Sequence, residues 1–112
     1  MHEMSLTESM REVIGDQARV HGFTRVKTVW LEVGPFSNVE VEALRFCWDV
    51  VMKDSPAEGA VLEIIRPEGR GLCLGCAAEL TVTDRTEPCP KCGGVVFAQG
   101  GDDLRIKELE VE

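Results

Sequence analysis

The chain has 112 residues and a formal net charge of −8, with 20 acidic and 12 basic side chains. This length suits one small domain, or a domain with a small additional module. An acidic chain is a poor match for a phosphate backbone, which is bound through Lys and Arg, so we expect no nucleic-acid partner. No apolar stretch approaches the ~20 residues that span a bilayer, and the amino terminus lacks the apolar core of a secretory signal. We therefore expect a cytoplasmic protein without a membrane span.

The first predicted element is a helix that begins at Ser5 and ends at the His21-Gly22 pair. Ser5 and Glu8 have the spacing of a capping box, in which two side chains satisfy the first free backbone amides. Glycine is common just past the end of a helix. Apolar residues at three- and four-residue spacing predict one buried stripe, made of Leu6, Met10, Val13 and Ile14.

A strand is predicted next, at residues 26–33, where Val, Thr and Trp precede the Gly34-Pro35 stop. A second helix is predicted at residues 39–53, with another capping box at Ser37 and Glu40. Its predicted buried face consists of Val41, Leu44, Trp48, Val51 and Met52. Cys47 lies beside that face, and we interpret it as an inert buried thiol.

Two further strands are predicted, at residues 60–66 and 104–111. The strand–helix–strand order across residues 26–66 predicts a right-handed crossover between parallel strands. In the last segment the alternation slips between Ile106 and Leu109, which a bulge explains, as does a strand buried on both faces. The predicted fold class is α+β, a small mixed three-stranded sheet with two helices and an inserted zinc-ribbon module.

The insertion is predicted from turn-rich sequences on both sides of a cysteine segment. Pro67-Glu68-Gly69 leads into that segment, and residues 99–103 lead out of it. We predict one α/β domain of residues 1–66, completed by residues 103–112, and a metal-binding module of residues 67–102.

Four of the five cysteines form two Cys-x-x-Cys pairs: Cys73 with Cys76, and Cys89 with Cys92. A secreted disulfide framework would more naturally have an even number of dispersed cysteines, so this pattern favours a reducing compartment and a metal ion. Two such pairs on facing turns complete a tetrahedral zinc site, in which Gly75 and Gly93 suit the sharp backbone. Because four thiolates leave no open coordination position, the predicted zinc is structural.

The amino terminus, Met1-His2-Glu3, offers a second set of metal donors. The Met1 amine, the deprotonated His2 amide and the His2 Nδ1 would form two fused chelate rings, and Glu3 would supply a fourth donor. Planar, nitrogen-rich sites suit Ni(II) and Cu(II). Because an amide proton must leave, acid should release the metal.

Several segments in combination carry a resemblance to a known family. They are Met1-His2-Glu3-Met4-Ser5-Leu6, the Val33-Gly34 turn with Ser37, Val39 and Glu42, the Leu62-Glu63-Ile64 strand, both cysteine pairs, and Leu104-Arg105-Ile106 with Leu109-Glu110-Val111-Glu112. Together they resemble the HypA/HybF family over essentially the whole chain.

The resemblance implies a nickel metallochaperone for nickel–iron hydrogenase maturation, and no enzyme. It implies nickel, as cargo, at Met1, His2 and Glu3, and zinc at the four paired cysteines. It also implies a HypB-type GTPase and the hydrogenase large subunit as partners, with urease maturation a side role in some organisms.

Two other interpretations are open at this stage. A zinc-ribbon adaptor would bind a partner protein through the ribbon and would place no demand on His2. A redox protein would use its Cys-x-x-Cys pairs as disulfides, although neither pair has the strand–helix setting of a thioredoxin-type site.

Overall fold

The computed structural model describes residues 3–112 of the chain. It contains two helices and six strands: α1 Glu3–His21, β1 Val26–Val33, α2 Val41–Val51, β2 Val61–Ile65, β3 Gly69–Cys73, β4 Glu79–Val82, β5 Val96–Gln99 and β6 Leu104–Val111. The strands form two three-stranded sheets, ordered β2-β1-β6 and β4-β3-β5. The predicted α+β class is therefore confirmed. No helix within residues 3–112 is long and apolar enough to cross a membrane.

The helix α1 includes residues that precede Ser5, where the sequence predicted its start. Ser5 lies inside the helix, where its backbone oxygen accepts a hydrogen bond from Ser9 Oγ at 3.1 Å. The capping box predicted at Ser5 is therefore wrong. The predicted end is confirmed, because Gly22 has a φ of 74° and donates its N–H to Ala18 O at 2.8 Å.

The buried face of α1 differs from the predicted stripe. The buried residues are Thr7, Met10 and Ile14, whereas Val13 is 48% exposed. Thr7 can lie inside because its hydroxyl donates to Met4 O at 2.8 Å, within the same helix. The apolar pattern could not identify a threonine whose polar atom is satisfied locally.

The helix α2 is shorter than predicted at both ends. Glu40 precedes its first residue and makes no side-chain cap hydrogen bond, so the second capping box is also wrong. The Ser37 hydroxyl donates instead to Gly34 O at 2.7 Å. The predicted buried face is confirmed for Leu44, Trp48, Val51 and Met52. Cys47, predicted to be buried, is only partly so.

The first sheet places β6 at one edge. Gly34 donates its N–H to Asp103 O at 2.7 Å, and Glu112 donates to Arg25 O at 2.9 Å. These bonds join opposite ends of the two strands, so β6 runs antiparallel to β1. The slip in alternation is present in the structure, since Leu104, Ile106 and Leu109 are the half-buried residues of β6. The predicted parallel direction of β2 against β1 stays a prediction.

The chain divides into two compact units. The first contains Met1–Leu31, Val39–Ile64 and Ile106–Glu112, and the second contains Glu32–Asn38 and Ile65–Arg105. The second unit therefore takes a short segment from the first half of the chain. Phe36 of that segment is buried in the core of the second unit. The two-domain assignment made from the sequence stays a prediction.

Candidate metal centre

The cysteines lie on two turns at one end of the second sheet. In that sheet β3 is central, and β4 and β5 pair antiparallel on its two sides. The register places Cys73, the last residue of β3, opposite Val96, the first residue of β5. The turn that follows β3 therefore meets the turn that precedes β5. Leu74 N–H donates to Val95 O at 2.9 Å and joins the two turns.

The first turn, which we call knuckle 1, comprises residues 73–78. Ala77 N–H donates to Cys73 O, and Cys73 N–H donates to Ala78 O, each at 2.9 Å. Ala77 has a φ of 59°, which is the left-handed region that costs a residue with a Cβ.

The second turn, knuckle 2, comprises residues 89–94 and repeats this pattern. Gly93 N–H donates to Cys89 O at 2.8 Å, and Cys89 N–H donates to Gly94 O at 3.0 Å. Gly93 has a φ of 72°, as predicted from the sequence. In both knuckles the residue after the second cysteine is left-handed, so two unlike sequences form one turn.

Gly75 has a different role from the one predicted, because it is not among the left-handed residues. A Cβ on Gly75 would lie 3.4 Å from Cys92 Sγ and 3.6 Å from Cys73 Sγ. A Cβ on Gly94 would lie 3.2 Å from Cys92 Sγ. The contacts at Gly75 are ordinary van der Waals distances, whereas the 3.2 Å contact at Gly94 is tighter than most Cβ contacts, so Gly94 keeps space clear beside the sulfur atoms.

The four sulfur atoms form one compact group, and all of them lie within 4.8 Å of one another. Cys73 Sγ lies 3.4 Å from Cys92 Sγ, and Cys76 Sγ lies 3.8 Å from Cys89 Sγ. A tetrahedron with metal–sulfur bonds of about 2.3 Å has sulfur–sulfur edges of about 3.8 Å. A disulfide would need about 2.05 Å. The geometry fits a four-thiolate metal site.

Backbone amides prepare the first cysteine of each knuckle to act as a thiolate. The Cys76 N–H, with the Cys92 thiol and the Gly75 N–H, lowers the pKa of Cys73 to about 6 despite the opposing effect of burial. The Cys92 N–H lowers the pKa of Cys89 in the same way. Gly75 N and Cys76 N each lie 3.3 Å from Cys73 Sγ.

The second cysteine of knuckle 2 behaves differently. The Gly94 N–H lowers the pKa of Cys92, but the thiols of Cys73 and Cys76, burial and the Cys89 thiol outweigh it and raise that pKa to about 12. Four neighbouring thiols cannot all carry negative charge without a compensating cation. A divalent ion held by these four cysteines would supply that charge and would displace the remaining thiol protons.

The first and second cysteines of each pair also differ in solvent exposure. Cys73 and Cys89 are buried with Phe36, Val82 and Val96 in the core of the second unit. Cys76 and Cys92 are exposed. One side of the site is therefore built into the core and the other faces solvent.

Of the predicted nickel ligands at the amino terminus, the structure describes only Glu3. Met1 and His2 lie outside the described residues, so the structure does not test their role. Glu3 is half-buried in the first turn of α1, and its Oε2 accepts a hydrogen bond of 3.4 Å from Glu40 N. The structure thus brings Glu3 beside the start of α2. The sequence did not predict the contact between Glu3 and Glu40, since the three-residue spacing of Ser37 and Glu40 indicates only a capping box.

Comparison with known proteins gives one family. A family model described as hydrogenase/urease nickel incorporation, metallochaperone, hypA matches residues 1–111. The chain is 54% identical to the hydrogenase maturation factor HypA of Cereibacter sphaeroides, covering 100% of both chains. It is 53% identical to the factor of the same name from Paracoccus denitrificans, covering 99% of each.

Two solved structures show the same fold. The solution structure of the nickel metallochaperone HypA from Helicobacter pylori has a TM-score of 0.71 and 20% identity, covering 99% of this chain and 97% of that one. A second, entitled Solution structure of HypA protein, has a TM-score of 0.70 and 21% identity. At this identity the likeness supports the fold alone.

Proposed function

The chain belongs to the HypA family of metallochaperones for nickel incorporation, and we propose that it binds Ni(II) at its amino terminus and delivers it for nickel–iron hydrogenase maturation. The observation that carries the proposal is the match to a nickel-incorporation family over residues 1–111. The family is one of metallochaperones and not of enzymes. That description favours delivery of a metal over the adaptor and redox interpretations.

The proposed nickel donors are the Met1 amine, the His2 amide and imidazole, and Glu3. Planar nitrogen donors of this kind suit Ni(II). Because the His2 amide must lose its proton to bind, its protonation in acid would release the nickel ion, as a cargo site requires. Glu3 Oε2 accepts a hydrogen bond of 3.4 Å from Glu40 N, at the start of α2, and a carboxylate donor to nickel would exchange that contact for the ion.

The proposed resident metal is zinc, held by Cys73, Cys76, Cys89 and Cys92. Tetrahedral thiolate sites favour zinc, whereas Ni(II) favours planar nitrogen and oxygen donors. The sulfur separations of 3.4 and 3.8 Å support this assignment. When bound, the zinc ion supplies a cross-link between the two knuckles and stabilises the fold of the second unit.

We further propose that the protein acts in the cytoplasm, with a HypB-type GTPase and the hydrogenase large subunit as its partners. The support is the family, whose members are named as hydrogenase maturation factors. Delivery of a metal needs a second protein to receive it.

The nickel site can be tested with the two histidines of the chain, His2 and His21. Calorimetric titration with Ni(II) of untagged, zinc-loaded protein should show one site per chain. His2→Ala should abolish that binding, because it removes the imidazole from the chelate. His21→Ala is the matched control and should bind as the wild type does. Undiminished nickel affinity in His2→Ala would overturn the proposed site.

A second variant separates the chelate from other effects of His2. An amino-terminal Gly-Ser extension leaves every side chain in place but moves the free amine two residues away. Nickel binding should be lost, while zinc content, measured by elemental analysis, should be unchanged. Binding that survives the extension would exclude the Met1 amine as a donor.

A further inference from the structure

The helix α2 is apolar on two of its faces. Its inner face, with Leu44, Trp48 and Val51, is buried in the first unit. Its outer face carries Phe46, which is 71% exposed, and Val50, which is 54% exposed. A surface helix normally keeps one apolar stripe for the core and turns polar residues to solvent. Neighbouring apolar side chains of this size, left in solvent, mark an interaction surface.

The outer apolar residues have the spacing of a helix-pairing seam. Ala43, Phe46 and Val50 are three and four residues apart, which places them in one line along α2. In the heptad notation of coiled coils they occupy positions a, d and a. We call these three residues the α2 seam. The 11 residues of α2 span about 16 Å, which is enough to contact three turns of a second helix.

Acidic side chains flank the α2 seam on one side. Glu42 and Asp49 are exposed and seven residues apart, so both occupy heptad position g. Within the described part of the chain neither makes an ion pair. Arg45, the basic residue of α2, donates instead to Leu62 O at 3.0 Å. The first unit as a whole has thirteen acidic and seven basic side chains, so its long-range field is also negative.

We propose that the α2 seam docks an amphipathic helix of a partner protein, one with an apolar stripe of its own and Lys or Arg beside that stripe. The partner's apolar residues cover Phe46 and Val50, and its basic residues pair with Glu42 and Asp49. A second copy of this chain lacks that complementarity, because an antiparallel pair of α2 helices brings the acidic positions of both copies to the same side of the seam. The choice of partner rests on the proposed function, since the proteins to test are those of nickel delivery.

Isothermal titration calorimetry of the zinc-loaded chain with the purified HypB-type GTPase, and separately with the hydrogenase large subunit, measures docking. Phe46→Ser and Val50→Ser should each raise the dissociation constant of the complex roughly ten-fold or more, because each removes an apolar side chain from the centre of the contact. Val20→Ser is the matched control, since Val20 is 72% exposed but lies on α1. It should bind as the wild type does. Far-UV circular dichroism checks that each variant is folded.

Glu42→Lys combined with Asp49→Lys tests the charge of the partner helix. Two attractive contacts become repulsive, so the dissociation constant should rise roughly ten-fold or more, with a slower association rate at low salt. Glu8→Lys combined with Glu12→Lys is the matched control, because both positions are exposed on α1 and the change in net charge is the same. A partner that binds the Glu42→Lys, Asp49→Lys variant as tightly as the wild type would exclude a basic helix at this seam.

A designed peptide tests the α2 seam without either protein. It has three heptads with Leu at positions a and d and Lys at positions e and g, and its counterpart has Glu at e and g. In fluorescence anisotropy the wild type should bind the lysine peptide roughly ten-fold more tightly than Phe46→Ser does, and roughly ten-fold more tightly than it binds the glutamate peptide. Equal binding of the lysine peptide by the wild type and Phe46→Ser would overturn the proposal.

Failure of the α2 seam and failure of the proposed function give different results. Nickel titration of Phe46→Ser should match the wild type, since the seam supplies no proposed nickel donor. Binding of either protein that is unchanged in the seam variants would overturn the docking surface and leave the proposed partners in place. A wild type that binds neither protein would overturn the proposed partners, and the peptide measurements then decide the seam. Self-association of the wild type in sedimentation velocity, lost in Phe46→Ser, would assign the seam to a second copy and overturn the proposal.

Discussion

The two knuckles of the metal centre have the same backbone hydrogen bonds and different residues at the position that needs them most. The left-handed residue is Ala77 in knuckle 1 and Gly93 in knuckle 2. In each knuckle its N–H donates to the carbonyl oxygen of the first cysteine, Cys73 or Cys89. The comparison teaches that the turn does not depend on glycine alone, since alanine adopts it too.

The largest expected effect comes from removing one sulfur atom. Cys73→Ser should abolish stoichiometric zinc and unfold the second unit, because structural zinc contributes on the order of 10 kcal/mol to modules of this kind. Zinc per chain by elemental analysis and the dispersion of amide NMR signals from residues 65–105 measure both effects.

Cys47→Ser is the matched control for that experiment. Cys47 is the fifth cysteine and lies on α2, in the first unit. The variant should retain one zinc ion per chain and the wild-type spectrum. Zinc retained by Cys73→Ser at wild-type affinity would contradict the four-thiolate site, and so would zinc lost from Cys47→Ser.

The second effect is a pH dependence that compares the two knuckles directly. In the metal-free protein the pKa of Cys73 is lowered to about 6 by the Cys76 amide and further hydrogen bonds, whereas the pKa of Cys92 is raised to about 12 by neighbouring thiols and burial despite the Gly94 amide. At pH 7 Cys73 is largely ionised already, but zinc must displace the proton of Cys92.

Zinc affinity should therefore rise about ten-fold per pH unit for each proton displaced, and should fall more steeply below pH 6, where Cys73 is protonated as well. Competition with a chromophoric chelator between pH 5 and 8 measures the slope. An affinity that does not change with pH would mean that all four thiols are ionised before zinc binds.

The cysteine pairs themselves were predictable from the sequence because their spacing is a local property. The bounds of β1 and β6 were predictable for the same reason, as each is an apolar-rich run between turn residues. The capping boxes at Ser5 and Ser37 are wrong because a box records spacing only. The Ser37 hydroxyl donates to Gly34 O, 2.7 Å away, in the preceding turn.

Contacts between distant residues had no such local signal. Phe36 follows a Gly-Pro turn in the sequence, yet it is buried in the core of the second unit. Its ring lies where a Cβ on Gly69 would meet Phe36 Cζ at 2.6 Å, so a glycine far along the chain makes room for it. At the metal centre, the sequence likewise could not separate Gly94, which clears space beside the sulfur atoms, from Gly93, which supplies a left-handed φ.

The smallest expected effect tests whether the two knuckles are energetically alike. Ala77→Gly removes a left-handed strain of about 1–2 kcal/mol but adds chain entropy worth about 0.4–1 kcal/mol to the unfolded state. The zinc-loaded protein should therefore gain roughly 0.5–1 kcal/mol in free energy of unfolding. Gly93→Ala should lose a similar amount for the reverse reason, because a Cβ there meets nothing within 4 Å.

The double variant with Ala77→Gly and Gly93→Ala should then unfold close to the wild type in guanidinium titrations at saturating zinc, since the knuckles exchange residues and keep their turns. If Ala77→Gly fails to stabilise while Gly93→Ala destabilises strongly, the turns differ in strain. Knuckle 2 would then depend on its glycine, and knuckle 1, which follows directly from the central strand β3, would be held in shape by the sheet.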